Sequence, residues 1–576
     1  MSPDAASSRA PSQSRPARSR LRSSRPMPLS DGAADLVLTG GHVHTVDAVQ
    51  PRAEAVAVRG DRIVAVGAAR DVAAHIGRRT RVVDLSGRLL LPGFQDAHVH
   101  PISSGVEQLQ CELNDVRGRD ALLAAIRTYA TDHPDDPWIL GGGWAMPDFL
   151  HGTPRREDLD AIVADRPVFL PNKDGHSAWV NSKALELAGI DRDTLDPADG
   201  RIERDPDGTP SGTLHEGAST IVERLTPRVD DDTMARGLRG AQSYLHSLGI
   251  TAWQDAIVEP RDEGIYRRAS DEGWLTARVE GAMWWEHERG LDQVDELAER
   301  SRTGSRPGFR LNSVKLMEDG VLETFTGAML EPYLGEDGRP TANRGLAFFD
   351  PATLAEAVTR IDAAGLQPHF HAIGDRAVRE ALDAVAAARR ANGASDTRPH
   401  VAHIQVIHPD DIPRFAALGV VANAQPLWAC HEAQMDDLTI PFLGPERTAW
   451  QYPFGSLLRA GARLAMGSDW SVSSADPLAE IEVAVERRMA PPEGSGRVLF
   501  PQERLTLEQA VEAFTLGSAF ANHLDGETGT VQAGKQADLV VVDRDLFAPD
   551  AGPPNQAKVL LTLVGGNVVF EHPALG

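Results

Sequence analysis

His98 and His100 stand one residue apart at the end of an apolar run, Leu90-Leu91-Pro92-Gly93-Phe94-Gln95-Asp96-Ala97-His98-Val99-His100. On a β-strand, residues i and i+2 point to the same face. The two imidazoles would therefore lie side by side, at a spacing suited to one divalent metal ion. Further along, the same pattern recurs: a polar side chain late in a short apolar run. His371 closes Gln367-Pro368-His369-Phe370-His371, His403 comes late in His400-Val401-Ala402-His403-Ile404, and Asp469 ends Leu464-Ala465-Met466-Gly467-Ser468-Asp469. Lys315 lies inside Ser313-Val314-Lys315-Leu316-Met317, where a buried lysine must be paired or modified. Each has an ordinary alternative. A strand-end histidine is often a structural contact, an aspartate in a Gly-Ser-Asp turn is often a helix cap, and a strand lysine usually points outward. Their shared placement is what favours a metal centre.

The elements that would carry these residues alternate. Apolar β runs, including Gly249–Asp255 and Val420–Ala424, are separated by Ala-rich helical stretches such as Asp375–Arg390. That alternation predicts a parallel sheet or barrel, and active sites of a barrel form at the C-terminal ends of its strands. The two chain ends read differently. Residues 34–91 hold short strands, with a hairpin signal at Arg59-Gly60-Asp61-Arg62. The stretch Ala537–Asp543 repeats the Ala-Asp-Leu-Val run of Ala34–Val37, and both ends carry a Gly-Gly turn before another apolar stretch. One β domain built from both termini (31–91 and 525–576) explains the likeness, two unrelated segments being the alternative. The barrel would then occupy 92–524. The segment from about 104 to 245 is too long for one or two strand–helix units and predicts an inserted subdomain, with WILGGGW (138–144) and DGHSAWVNS (174–182) near its core.

Bulk properties narrow the function. The 576 residues include 58 basic and 83 acidic side chains, a formal charge of -25. No basic stripe stands out in the body of the chain, which argues against nucleic acid as a partner. No uninterrupted apolar run reaches about 18 residues, so no membrane span is expected. The two cysteines, Cys111 and Cys430, make no disulfide framework, and a reducing cytoplasm is the simplest location. Residues 1–30 are rich in Ser, Pro and Arg and read as a disordered extension without the apolar core of a secretory signal; Met27 would serve equally as the start.

Taken together, PGFQDAHVHP (92–101), DGHSAWVNS (174–182), VKLMEDG (314–320), HAIGD (371–375), AHIQ (402–405), GSDWSV (467–472) and GKQADLVVVD (534–543) resemble the metal-dependent amidohydrolase superfamily, most closely its amidohydrolase 3 branch of N-substituted formamide deformylase-like enzymes. The resemblance runs from about 34 to 574. It implies a (β/α)8 TIM barrel beside a β-sandwich built from both termini. It also implies a hydrolase of a non-peptide carbon–nitrogen bond (an amide, N-formyl or cyclic amide) acting on a small molecule through metal-activated water. By position, His98 and His100 resemble the first-strand ligands, and His371 and His403 those of the fifth and sixth strands. Lys315 resembles the lysine that, carboxylated, bridges two metals, and Asp469 the last-strand aspartate that binds metal and shuttles protons. Glu318 and Asp319 could take the place of Lys315, and His369 could compete with His371. One or two ions are implied, zinc by expectation, with Mn, Fe or Co able to fill a His/Lys/Asp site. His176 is read either as a catalytic oxyanion donor or as a loop-ordering residue. Trp144 and Trp179 are the candidate substrate-binding residues, and Trp253, Trp284 and Trp285 further wall candidates, with core packing the alternative for each. Rival functions are ester or lactone hydrolysis in the same site and a non-catalytic metal-binding role. A homodimer is the default assembly.

Overall fold

The computed structural model describes residues 32–575; the N-terminal extension expected over 1–30 lies outside them. Eight parallel strands form a nearly closed barrel: β1 (Phe94–Val99), β2 (Ile250–Val258), β3 (Arg278–Trp284), β4 (Phe309–Met317), β5 (Gln367–Ala372), β6 (His400–His403), β7 (Val421–Ala424) and β8 (Leu464–Met466). β1 and β5 to β8 are buried throughout, as expected of parallel strands covered by helices. The helices are amphipathic. In Asp375–Asn392, Ala377, Val378, Ala381, Leu382, Val385 and Ala388 form the buried face, the i, i+3, i+4 pattern of a helix on a core. Helix Pro351–Ala363 begins with Asp350, whose carboxylate accepts the Ala352 and Thr353 N–H groups at 3.1 Å, followed by proline at its first position.

Strand β3 is the one the sequence reading passes over. Arg278, Glu280 and Gly281 interrupt its apolar pattern, yet Glu280 is 1 % exposed because Arg310 of β4 donates to it at 2.6 Å. The acid is tolerated through a partner that only the adjacent strand supplies.

The barrel seam lies between β8 and β1. The Asp469 N–H donates to the His98 carbonyl at 2.8 Å and the His100 N–H to the Trp470 carbonyl at 3.1 Å. Below them the buried Asp96 carboxylate accepts the Ser468 hydroxyl at 2.6 Å and the His98 N–H at 3.0 Å. The approach is close enough that a β-carbon on Gly467 would lie 2.5 Å from the His98 nitrogen. Gly467→Ala should therefore part the seam where two site residues meet. The expected cost is about 1–3 kcal/mol, read as a lower melting temperature together with reduced metal uptake. An unchanged melting temperature would show that the seam relaxes freely.

Both chain ends build one sheet, in the order Asn567–Glu571, Val559–Val564, Leu539–Val542, Leu89–Pro92, His42–His44, Arg52–Ala53. Leu539 pairs with Pro92 and Val542 with Leu89, antiparallel. Alternation assigns its two faces: Leu89, Leu91, Val540 and Val542 join the barrel core, whereas Leu90, Leu539, Val541 and Leu561 pack with Leu38, Val56 and Val58 of a second, four-stranded sheet. The hairpin expected at Arg59–Arg62 joins two strands of that second sheet.

Between β1 and β2 the chain forms a separate six-stranded sheet from Cys111–Glu112, Ile139–Gly142, Val168–Pro171, Ser177–Val180, Gly200–Arg204 and Pro210–Glu216. Its extent is shorter than the expected 104–245. Helix Asp231–Ser247 instead packs Met234, Leu238, Ala241 and Leu245 into the barrel core, because its apolar stripe matches the outer face of the first strands.

Candidate active site

The polar side chains at the C-terminal mouth converge on Asp469. Its Oδ1 lies 3.0 Å from His100 Nε2 and 3.4 Å from His98 Nε2, and its Oδ2 3.8 Å from His403 Nδ1. Lys315 Nζ lies 3.3 Å from His98 Nε2. His371 completes the ring of side chains, 4.5 Å from His403 between ring centroids. Each residue is where its strand puts it: His98 on β1, Lys315 on β4, His371 on β5, and His403 at the end of β6. Asp469 lies three residues beyond β8 rather than at its end. The backbone is strained here, with His403 at φ 76°, Ile404 at 41° and Asp469 at 54°. Non-glycine residues pay about 1–3 kcal/mol for such conformations, which gather at functional sites.

The donor set fits a divalent cation. Donor atoms of His98, His403 and Asp469 lie within 4.8 Å of one another, and the buried His403 Nδ1 and Asp469 Oδ1 have no aligned hydrogen-bond partner. His98 Nδ1 lies 2.9 Å from His369 Nε2. His98 Nε2 faces both Lys315 Nζ and Asp469 Oδ1, at 3.3 and 3.4 Å. Burial holds His98 neutral, its pKa pushed down to about 3, and drives those of His371 and His403 well below the ordinary value. Neutral imidazole is the ligating form. Burial alone would raise Asp469, but His98, His100 and His403 outweigh it and keep the carboxylate ionised. Burial lowers Lys315 to about 8, so its free amine is far more accessible near neutral pH than that of an exposed lysine.

The residues that the sequence left open fall into place. Asp319 accepts the backbone N–H groups of Ala328, Ile373 and Gly374 at 2.8, 3.0 and 2.9 Å, and so holds the loop after β5, with its Oδ1 3.7 Å from His371 Nε2. Glu318 is fully buried beside Asp319 and Glu380, its carboxyl pushed well above the usual range by burial, and is not on the cavity wall. His369 lies beneath His98 and against His400, ring centroids 3.9 Å apart.

A cavity of about 2380 Å³ opens above the centre, lined by the six mouth residues and by Lys173, Asp174, His176 and Glu216 of the insertion. It exceeds the few hundred to ~1,000 Å³ usual for small-molecule sites. Trp144 and Trp179 do not line it. Both belong to the core of the insertion, with indole N–H groups donated to the Leu170 and Arg155 carbonyls at 2.8 and 2.9 Å. Trp284, Trp428, Trp470 and Phe348 are among the aromatic side chains on the wall, while Trp253 and Trp285 are core. His176 reaches the cavity from the insertion, its Nδ1 3.0 Å from Glu216 Oε2. Burial would lower it, but the Glu216 carboxylate prevails and raises it to about 9. Glu216 was not found in the sequence, since an acid at the end of a strand carries no spacing signal.

Residues 81–570 match the sequence model of the Amidohydrolase family. Protein LONG AFTER FAR-RED 3 of Arabidopsis thaliana is 32% identical over 552 residues, 93% of this chain and 92% of that protein. The N-substituted formamide deformylase of Arthrobacter pascens is 28% identical over 552 residues, 93% of this chain and 98% of the relative. Among solved structures, an uncharacterized metal-dependent hydrolase from Pyrococcus furiosus superposes with a TM-score of 0.67 at 26% identity, over 88% of this chain and 99% of the other.

Proposed function

This chain belongs to the amidohydrolase family and is a hydrolase acting on carbon–nitrogen bonds, and from that premise we propose that it hydrolyses a non-peptide amide, N-formyl or cyclic amide bond of a small molecule with zinc as its divalent metal. The observation that carries the reading is the meeting of four strand-end imidazoles, Lys315 and the ionised Asp469 at one mouth of the barrel. His98, His100, His371, His403 and Asp469 would hold the metal, with Lys315 between two ions. A divalent cation there would lower the pKa of water and polarise a carbonyl. Asp469, held ionised by His98, His100 and His403, accepts the proton of the attacking water and passes it to the leaving nitrogen. His176, charged through Glu216, donates to the carbonyl oxygen as it gains negative charge. Trp284, Trp428 and Phe348 supply apolar wall for the rest of the substrate.

Lys315 carries a further step. Its neutral amine, on adding CO2 and losing a proton, would become a carbamate whose anionic oxygens could help hold divalent metal. Elemental analysis of the purified protein and of Lys315→Ala tests this. About two metals per chain, falling on substitution, is the expected result; one metal, unchanged by the substitution, would leave Lys315 structural. Formanilide and phenyl formate present the same acyl carbon with nitrogen or oxygen leaving. Hydrolysis of formanilide is expected, and ester cleavage without any amide cleavage across a panel would redirect the assignment.

A further inference from the structure

Glu216 occupies an unusual position. It ends the strand Pro210–Glu216 and precedes the helix Gly217–Glu223 with φ 49° and ψ -131°, a conformation that a β-carbon disfavours. Its side chain is 8% exposed and is held from both domains. From the insertion, His176 Nδ1 approaches Oε1 at 3.1 Å and Oε2 at 3.0 Å, and the Glu216 N–H donates to the His176 carbonyl at 3.0 Å. From the barrel, the Thr326 hydroxyl donates to Oε1 at 2.7 Å. The barrel loop passes so close that a β-carbon on Gly320 would lie 2.3 Å from Glu216 Oε1 and 2.1 Å from Thr326 Oγ1. That loop also touches the centre, since the Gly320 carbonyl lies 3.3 Å from His371 Nε2.

A carboxylate fixed on one ring nitrogen decides what the other can do. With Nδ1–H engaged by Glu216, Nε2 is the nitrogen left to face the cavity, and among the described residues it has no hydrogen-bond partner. The His176 ring stands 5.4 Å from that of His371, centroid to centroid. We propose that Glu216 is a positioning residue: clamped by Thr326 and by the glycine at 320, it fixes the orientation of His176 so that the insertion presents Nε2 of that ring over the metal centre of the barrel. The proposal rests on the reading of His176 as the donor to the substrate carbonyl oxygen. It makes the insertion a working part of the site rather than a cover for it.

The test uses full-length, zinc-loaded protein with isotope-labelled histidine, the His176 resonances being assigned by their loss in His176→Asn. In the wild type, a low-field Nδ1–H signal of an imidazole bound to a carboxylate is expected. It should vanish or shift in Glu216→Gln and return in part in Glu216→Asp. An unchanged His176 signature in Glu216→Gln would overturn the proposal. In parallel, formanilide turnover should fall about 10²-fold in His176→Asn and about tenfold or more in Glu216→Gln with KM within about twofold. The double variant should be no slower than His176→Asn, whereas additive losses would assign Glu216 a separate structural role and count against the proposal. If His176→Asn turns over normally, or formanilide is not hydrolysed at all, the functional reading fails, while the imidazole signature still decides whether Glu216 holds His176.

Discussion

Asp469→Asn is expected to abolish most turnover while leaving substrate binding nearly intact. The amide keeps the size and planarity of the carboxylate, so the packing against His98, His100 and His403 survives. It cannot accept a proton near neutral pH, and general base and acid steps contribute about 10²–10⁴ to rate. The wild-type carboxylate is present in the proton-accepting form, because the surrounding imidazoles keep it ionised despite burial. The measurement is kcat and KM on formanilide with metal content followed alongside. A fall of about 10²-fold or more in kcat with KM within a few-fold places Asp469 in the chemical step. Near-normal kcat with full metal would remove it from the proton path. Loss of metal in step with activity would reduce it to a ligand.

His98→Ala should lose metal and activity together. His98 is the hub of the mouth, in contact with Lys315, Asp469 and His369 and 4.8 Å from His403 between ring centroids. Its removal takes away a proposed ligand whose Nε2 faces Asp469 and Lys315, and it strands an amine and a carboxylate in a buried space. The expected outcome is metal content well below that of the wild type, with turnover down at least as far as in Asp469→Asn. Comparing melting temperatures of the metal-free proteins separates loss of the site from loss of the fold. Full metal content in His98→Ala would exclude this residue from the centre.

The Asp469 and His98 roles rest on residues that are legible in the chain itself. The His-x-His spacing, the histidines late in apolar runs and the lysine inside one are all local patterns, and in the structure they share one mouth of the barrel. Legibility fails where a side chain's neighbour comes from far along the chain. Strand β3 is broken in sequence by Glu280, which is tolerable only beside Arg310. Trp144 and Trp179 flank a glycine-rich run and a loop near the site, which made them plausible wall residues. The insertion folds them into its own core, where carbonyls satisfy their indole nitrogens. His369 shares the face of His371, yet lies one layer down because alternate side chains of a barrel strand stack at different depths along the barrel.

Sequence alone determined the chemistry available: which polar residues come late in or just after apolar runs, and the two-residue spacing that brings His98 and His100 side by side. These follow from the two-residue period of a strand and from turn chemistry, which depend on neighbours in the chain. Tertiary structure decided which of those residues meet. Lys315 and His98 are 217 positions apart, and their contact exists only because eight strands take one register around a nearly closed barrel. The same holds for Glu216, invisible as a lone acid until the insertion and the loop after β4 place His176 and Thr326 against it. A partner brought by long-range closure leaves no local signature, because the free energy that places it comes from burying the two cores together rather than from the residues beside it.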